Sequence, residues 1–231
     1  MPLPTEDALT YLPRKPLQEF VKGAEIYNSR QANGHLYVVI KGLVKISTTN
    51  DDGCQTIARI VAAEGLFGES CLVGSIARNE WAAALDMVAV MSWTSAEVLQ
   101  QVEREPRLGV ALAQYLVRQC MEMQDRIESM ATYKTPERIM LALLQLGADV
   151  GVSRPDRTIR LSSLTHHTIA DFVGTSREIV TFQMNRLRRM DLIRYSRRHL
   201  DVCVEAMEKH LREKGVRVPE QQPNPAHRAA G

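Results

Sequence analysis

The spacing of apolar residues changes period once along this chain, near Ser95, and no other feature constrains the fold as strongly. Before Ser95, short apolar runs such as residues 36–40 and 43–47 are separated by turn-forming residues, as in a sheet of short strands. After it, apolar residues recur every three or four positions, which is typical of helices. We therefore predict an α+β protein with an N-terminal sandwich or β-roll and a mainly helical C-terminal part.

A long helix is predicted to begin near Pro106 and to end near Thr132. Its apolar positions follow each other at intervals of four, three, four and three residues: Leu116, Cys120, Met123, Ile127 and Met130. This is the spacing of a coiled-coil seam. A helix packed on its own sheet is the alternative. Strict alternation on a polar-flanked helix favours a partner helix, and a homodimer supplies one most simply.

Breaks in the pattern divide the chain into four segments. We predict a first domain over residues 1–105, and a dimerisation helix with its hinge over 106–134. Thr135 as N-cap and Pro136 as first residue then start a new helix, which ends at Gly147, and a second domain covers 135–217. Residues 218–231 are rich in Pro, Gln and Asn, so we predict a disordered tail.

The positive charge is concentrated in one segment, although the net charge of the chain is only +2. Residues 175–199 hold seven arginines against two acids. A local excess of this kind attracts the phosphate backbone of a nucleic acid. We therefore predict that this segment contacts DNA.

Two short helices lie at the start of this basic segment. The first is predicted over residues 165–174, and the second begins after Thr175, which forms a capping box with Glu178. Ala170, Gly174 and Val180 stand where a helix-turn-helix needs a small residue, a turn glycine and an apolar lock. A plain αα-hairpin is the alternative, but an arginine-rich hairpin over residues 192–202 favours a winged helix-turn-helix.

Other classes of protein find little support in the sequence. The four cysteines are scattered, so they suit neither a zinc site nor an iron–sulfur cluster and fit reduced thiols in the cytoplasm. A metal-dependent enzyme of the cupin kind needs clustered ligands, and the strand region holds only His35. We interpret the adjacent His166 and His167 as polar residues of a helix start. We expect no secretory signal and no membrane span.

Three motifs resemble the Crp/Fnr family of bacterial transcription regulators. VGTSREIVTFQMNRLRRMDLI resembles the family's recognition helix, YVVIKGLVKIS its effector-domain strand pair, and FGESCLVGSIARNEWAA its phosphate-binding cassette. They stand in the family's order, and the resemblance covers residues 20–211. It implies a cyclic-nucleotide-binding-type β-roll (a double-stranded β-helix), a long dimerisation helix and a C-terminal winged helix-turn-helix.

The resemblance also implies an effector site, whose residues in this chain are Gly68, Glu69, Ser70, Arg78, Asn79, Met123 and Gln124. In nucleotide-binding members the Gly-Glu pair holds the ribose and the arginine pairs with the cyclic phosphate, which suits carboxylate and guanidinium chemistry. An internal ion pair between Glu69 and Arg78 is the alternative. Asn79 replaces the usual serine, and Met123-Gln124 replace the Thr-Ser pair that contacts adenine in the cAMP-dependent activator.

On the DNA side, Arg177 and Glu178 match two base-reading positions of that activator. Arginine binds guanine and glutamate accepts from cytosine. Phe182 stands in place of a third base-reading residue, an arginine; it can touch a thymine methyl or, alternatively, pack against the wing or the neighbouring domain. The predicted backbone-contacting residues are Thr165, Thr175, Ser176, Arg186 and Arg197.

The predicted function is therefore a cytoplasmic, homodimeric, sequence-specific transcription regulator on palindromic double-stranded DNA, with RNA polymerase as a further partner. The expected control is a small ligand in the β-roll, either a cyclic nucleotide (cAMP or cGMP) or a related anion. The alternative is the same regulator with another effector or none. A regulatory subunit without DNA binding would have no use for an arginine-rich wing. We expect no catalytic residues, no metal and no membrane partner.

Overall fold

The computed structural model describes residues 6–28, 34–49, 55–73, 80–195 and 199–219. Within these ranges the N-terminal part contains α1 (Ala8–Tyr11), β1 (Gln18–Phe20), β2 (Glu25–Tyr27), β3 (His35–Lys41), β4 (Val44–Thr49), β5 (Gln55–Val61), β6 (Leu66–Phe67), β7 (Glu80–Ala84) and β8 (Val88–Thr94). The strands form two antiparallel sheets, in the orders β1-β8-β3-β6 and β2-β7-β4-β5. The predicted roll of short strands is confirmed.

Aromatic side chains fill the space between the two sheets. The rings of Tyr27, Tyr37 and Phe67 stack with centroids 4.9 to 6.1 Å apart, and Phe67 is fully buried. Successive side chains of a strand point to opposite faces of the sheet, and in β3 both faces are buried, so Tyr37 points between the sheets while Leu36 and Val38 join a second cluster. Because truncation of a buried phenylalanine costs about 3–5 kcal/mol, Phe67→Ala would disrupt this core.

The apolar region 83–93 holds the end of β7, a turn and most of β8. Asp86 stabilises the turn by accepting a hydrogen bond of 2.8 Å from the backbone N–H of Leu43. Gly42, opposite the turn, has a φ of +87°, and a Cβ there would lie 2.3 Å from the carbonyl oxygen of Met87. The close approach of these two chain segments therefore requires glycine at this position.

Two helices follow the roll, α2 (Ser95–Arg104) and α3 (Arg107–Thr132). A capping box between Thr94 and Glu97 starts α2. The first turns of α3 pack under α1 and the roll through Leu108, Ala111 and Leu112. Beyond them the helix projects from the core, and the predicted seam residues are exposed in the single chain: Leu116, Cys120, Met123, Ile127 and Met130.

The C-terminal part contains α4 (Thr135–Val150), β9 (Val152–Ser153), β10 (Thr158–Ser162), α5 (His166–Val173), α6 (Arg177–Arg189), β11 (Ile193–Tyr195), β12 (His199–Cys203) and α7 (Val204–Glu213). The strands form one sheet in the order β11-β12-β10-β9. The helix-turn-helix is α5 and α6, and β11 with β12 forms the wing. The predicted winged helix-turn-helix is therefore confirmed.

The predicted ends of α4 are wrong at both termini. Its N-cap is Lys134 rather than Thr135, and the helix passes through Gly147 to end before Gly151. It continues because Leu146 and Val150 are both buried in the core of this domain. A glycine inside a helix costs about 1 kcal/mol relative to alanine, and the burial of these two side chains outweighs that cost.

The winged helix-turn-helix packs directly on the roll of the same chain. Ile57 and Ile60 of β5 belong to the same buried cluster as the apolar residues of α4, α5 and α6. Strand β5 therefore lies under the DNA-binding domain on one side, and it lines the cleft against α3 described below.

Candidate nucleic-acid interface and effector pocket

Helix α6 presents the three predicted base-contacting residues to solvent. Arg177, Glu178 and Phe182 are exposed, Phe182 to 67%, so its alternative role in packing within the chain is not supported. The opposite face is buried: Val180, Met184 and Leu187. Hydrogen bonds from its own backbone N–H and from Ser176 lower the pKa of Glu178. Its carboxylate is therefore ionised at neutral pH and can accept a hydrogen bond from a base.

The turn before α6 has the predicted glycine but a different cap. Gly174 has φ 71° and ψ 54°, and the backbone N–H groups of Gly174 and Thr175 donate to the carbonyl of Ala170. Thr175 is thereby held in the turn, and the N-cap is Ser176, whose Oγ accepts from the N–H of Ile179 at 3.3 Å. The predicted capping box of Thr175 with Glu178 is wrong by one residue.

Four of the five predicted backbone-contacting residues lie at the start of α5, in the turn before α6 or on α6 itself. Thr165 caps α5 and is exposed, as are Ser176 and Arg186, whereas Thr175 is half-buried. Arg188 and Arg189 are exposed in the last turn of α6, and Arg194 on the wing is exposed beside Asp156 at 3.5 Å. Arg197 lies outside the described residues. The described arginines therefore form a basic border at the C-terminal end of α6 and on the wing that follows it.

A chain of hydrogen bonds joins the wing to the recognition helix through His166. The Thr181 hydroxyl donates to the Arg177 carbonyl at 2.8 Å, so its oxygen accepts from Nδ1–H of His166 at 2.9 Å. Nε2 of His166 then accepts from the hydroxyl of Tyr195 at 2.6 Å. Burial, and then the nearby Arg177, lower the pKa of His166, which keeps the imidazole neutral. His166 therefore positions the wing relative to α6. From the sequence we interpret it only as a polar residue of a helix start.

Two arginines from neighbouring helices hold the C-terminal end of α5. Arg126 on α3 donates to the carbonyl of Phe172 and lies over its ring, 4.5 Å from the centroid, and Arg138 on α4 donates to the carbonyl of Val173. The last carbonyls of a helix lack intrahelical partners and carry partial negative charge. Arg126 also donates to the carbonyls of Ala58 and Ile57 on β5, at 2.6 and 2.8 Å. It thus connects three elements.

A cleft of about 1170 Å³ opens between β5, α3 and the winged helix-turn-helix. Its lining includes Arg59, Leu66, Tyr115, Gln119 and Met123. It is large enough for a nucleotide, since ligand pockets measure about 300–1,000 Å³. This cleft is the candidate effector pocket.

The cassette residues reach this cleft through one ion pair. Gly68 has a φ of +80° and leads into a 3₁₀ turn, Glu69–Val73, that holds Glu69 and Ser70. Glu69 does not point to open space, because its Oε1 lies 2.6 Å from Nη2 of Arg59. Arg78 and Asn79 lie outside the described residues, so the predicted phosphate contact stays a prediction.

Arg59 also contacts the dimerisation helix. Its Nη1 donates to the hydroxyl oxygen of Tyr115 at 2.7 Å and to Oε1 of Gln119 at 2.8 Å, while the Tyr115 hydroxyl donates to the carbonyl of Leu66. The two predicted effector-site residues on α3 differ in position: Met123 lines the cleft, whereas Gln124 is exposed and outside its lining. The nearest helix residues at the cassette are therefore Tyr115 and Gln119.

Sequence reasoning missed Arg59, Tyr115, Gln119 and Arg126 because each lies in an element with an ordinary pattern. Arg59 is a single charge in an otherwise apolar strand, 57–61, and that interruption was the one available signal. On α3, residues 115, 119, 122 and 126 lie on one helical face next to the seam. Only the packing of α3 on β5 assigns that face a role.

The described part of the chain gives information on metal sites, membrane-spanning helices and thiol reactivity. No group of three His, Cys, Asp or Glu side chains within it is placed to hold a metal ion. No helix in the same ranges is long and apolar enough to cross a membrane. Burial raises the pKa of the Cys71 thiol to about 11, so this cysteine is a poor nucleophile at neutral pH.

Comparisons with known proteins agree with this arrangement. A cyclic nucleotide-binding domain model matches residues 17–105, and a Crp-like helix-turn-helix domain model matches residues 137–209. The chain is 32% identical over 158 residues to the transcriptional regulator SdrP of Thermus thermophilus, which covers 68% of this chain and 74% of that protein. It is 25% identical over 162 residues to the CRP-like cAMP-activated global transcriptional regulator of Mycobacterium tuberculosis, covering 70% and 72%.

A solved structure of a CRP/FNR-family transcriptional regulator from Thermus thermophilus superimposes with a TM-score of 0.66 at 28% identity. The match covers 84% of this chain and 97% of that one. These relatives are transcription regulators rather than enzymes. The chain therefore belongs to the Crp/Fnr family of DNA-binding transcription regulators, with a cyclic nucleotide-binding domain ahead of a Crp-like helix-turn-helix.

Proposed function

We propose that the protein is a homodimer that binds a palindromic DNA site and is controlled by a small anionic ligand in its β-roll. Residues 1–105 form the effector domain, 106–134 the dimerisation helix and hinge, and 135–217 the DNA-binding domain. Of the predicted disordered tail, residues 220–231 lie outside the described residues, whereas Val218 packs against the core of the DNA-binding domain. The protein acts in the cytoplasm, and RNA polymerase is its further partner in transcription.

The observation that carries the DNA-binding part is the composition of the exposed face of α6. Arg177, Glu178 and Phe182 lie on it without a packing role, and exposed arginines border it. Arg177 suits guanine, Glu178 suits the amino group of cytosine, and Phe182 suits the thymine methyl. The border arginines suit phosphates, which position the helix without selecting a sequence.

The resemblance to the Crp/Fnr family implies half-sites related to, but not identical with, the family's TGTGA type. Fluorescence anisotropy on duplexes with such half-sites tests this part. Arg177→Ala should cost about 1–3 kcal/mol of discrimination at one base pair of each half-site. Arg186→Ala should weaken binding to all sequences and, because the dimer carries this residue twice, reduce the salt slope by about 1.8. Arg14→Ala is the matched control, because Arg14 is an exposed arginine on the other domain. Binding without sequence preference, or equal losses in all three variants, would contradict the proposal.

The dimer is supported by the exposed seam of α3. Ile127 is 63% exposed and Met123 59% exposed in the single chain. Exposure of so much apolar surface to water is unfavourable unless a partner helix covers it. Sedimentation equilibrium should give a dimer for the wild type and a folded monomer for Ile127→Glu. Met121→Glu is the control, because Met121 is 57% exposed on the same helix but off the seam. A monomeric wild type would contradict the homodimer.

The ligand part rests on the cleft and on the nucleotide-binding domain of the roll, and the cAMP-activated relative makes cAMP or cGMP the first candidates. Thermal-shift titration with cAMP, cGMP and cyclic dinucleotides should find a ligand whose effect Arg78→Ala removes. At a hundredfold excess over Kd, binding adds about 2.7 kcal/mol to the stability. One observation speaks for the alternative, a regulator without a cyclic-nucleotide response: Glu69 is already paired with Arg59. If no ligand changes the melting temperature, the result supports this alternative.

A further inference from the structure

The carboxylate assigned to ribose binding is already occupied by a charged partner. Glu69 and Arg59 form an ion pair of 2.6 Å, and their side chains are only 24% and 19% exposed. A ribose hydroxyl is a neutral donor, so with the Glu69 carboxylate it forms a hydrogen bond that is assisted by one charge, whereas the bond from Arg59 is assisted by two. A nucleotide would therefore have to displace a stronger partner before its ribose could reach Glu69.

Arg59, by contrast, has the properties of an anion receptor. Two neutral acceptors on α3, the Tyr115 hydroxyl and the Gln119 amide, fix the position of its guanidinium at 2.7 and 2.8 Å. Glu69 is the carboxylate in contact with it. If Glu69 turned away, a positive charge would remain, oriented by neutral groups at the edge of a half-buried cleft, and a planar guanidinium binds phosphate or carboxylate oxygens in pairs.

We propose that Arg59 binds an anionic group of the effector and that Glu69 is the internal counter-ion that the effector displaces. This inference rests on the proposed function in one respect, namely that the cleft binds an effector. The ligand class is a small molecule with a phosphate or carboxylate group directed at Arg59. Because Arg59 also holds Tyr115 and Gln119, an anion that shifts it acts directly on the dimerisation helix.

The substitution Glu69→Gln distinguishes the two roles of Glu69 by the sign of its effect. If Glu69 is a counter-ion, its neutralisation removes an internal competitor, and pyrophosphate, which has no ribose, should bind about tenfold more tightly, a gain of about 1.4 kcal/mol. If Glu69 is a ribose ligand, the same change weakens cAMP and leaves pyrophosphate unaffected. Isothermal titration of the full-length dimer with pyrophosphate and with cAMP measures both.

Two further variants complete the test. Arg59→Gln should abolish pyrophosphate binding in the wild-type and Glu69→Gln backgrounds. Glu64→Gln is the matched control, because Glu64 is an exposed carboxylate in the lining of the same cleft; it removes one negative charge and should change the affinity less than about twofold. Glu69→Ala repeats the comparison with a second side chain, and circular dichroism checks that each variant is folded.

The inference is overturned if Glu69→Gln does not tighten pyrophosphate binding, if Glu64→Gln tightens it equally, or if Arg59→Gln still binds it. It is also overturned if no variant binds, or if both Glu69 variants unfold, since the pair would then be structural. Wild-type binding to duplex DNA, measured on the same preparation, tests the proposed DNA-binding function separately. If the pyrophosphate results contradict the inference, DNA binding can therefore still be interpreted, and the reverse also holds.

Discussion

Arg126 should hold the DNA-binding domain against the β-roll, and Arg126→Gln tests this. The guanidinium donates to the carbonyls of Ala58, Ile57 and Phe172 and stacks on the Phe172 ring at 4.5 Å. Hydrogen bonds of a charged group contribute about 1.5–3 kcal/mol each when desolvated, and a partly exposed cation–π contact about 0.5–1 kcal/mol. Arg126 is only half-buried, so in the variant water replaces part of the lost interactions. We therefore expect Arg126→Gln to lower the free energy of unfolding by about 2–3 kcal/mol.

Urea unfolding gives the cost in stability, and amide hydrogen exchange shows where it acts. We expect faster exchange in β5 and at the C-terminal end of α5, with the aromatic core of the roll unchanged, because the variant loosens the contact between domains. Arg118→Gln is the control, since Arg118 lies about two turns earlier on α3 and, like Arg126, lines the cleft between β5 and α3. A cost below about 0.5 kcal/mol, or exchange changes equal to those of Arg118→Gln, would refute this account of Arg126.

Three other side chains lead to measurable expectations. Burial, and then the nearby Glu122, raise the pKa of Asp149 to about 8, so the folded protein holds a proton that the unfolded chain releases above about pH 4, and stability falls as pH rises from about 4 to 8. Because Asp149 is only half-buried, water screens much of this effect, and Asp149→Asn should remove the slope and be about 1–2 kcal/mol more stable than the wild type at about pH 8 in urea titrations; an unchanged slope would exclude Asp149 as its source. Tyr195→Phe removes the donor to His166 and should cost about 1 kcal/mol, with faster exchange in the wing strands; unchanged wing exchange would show that the hydrogen-bond chain does not position the wing. Phe182→Arg should shift base preference towards guanine at one position of each half-site, as a binding selection would detect; an unchanged preference would place Phe182 outside the groove.

The helix-turn-helix was predictable from sequence because its constraints are local. A glycine at positive φ, a small residue four positions earlier and a buried valine six positions later are all imposed by one chain crossing, and Gly174, Ala170 and Val180 meet them. The N-cap of α6 was predicted one residue too early, because Thr175 and Ser176 both carry a hydroxyl that can cap a helix. Only the hydrogen bond from the Thr175 N–H to Ala170 selects Ser176.

The effector pocket was less predictable because its contacts join residues distant in sequence. Arg59 meets Glu69, ten positions away, but also Tyr115 and Gln119, 56 and 60 positions away. No periodic pattern encodes such pairs, and the only ion-pair partner that the sequence suggested for Glu69, as the alternative to ribose binding, was Arg78. A charge inside an apolar strand indicates a partner but does not identify it.

The spacing of two half-sites on DNA tests the central claim most directly. Two recognition helices related by the dimer axis contact half-sites one helical turn apart, about 34 Å. Affinity measured across palindromes with increasing spacers should therefore peak at one spacing, fall when about half a turn is inserted, and be lost for Ile127→Glu at every spacing. Equal affinity for all spacings, or undiminished binding by Ile127→Glu, would contradict a homodimeric regulator that reads a palindrome.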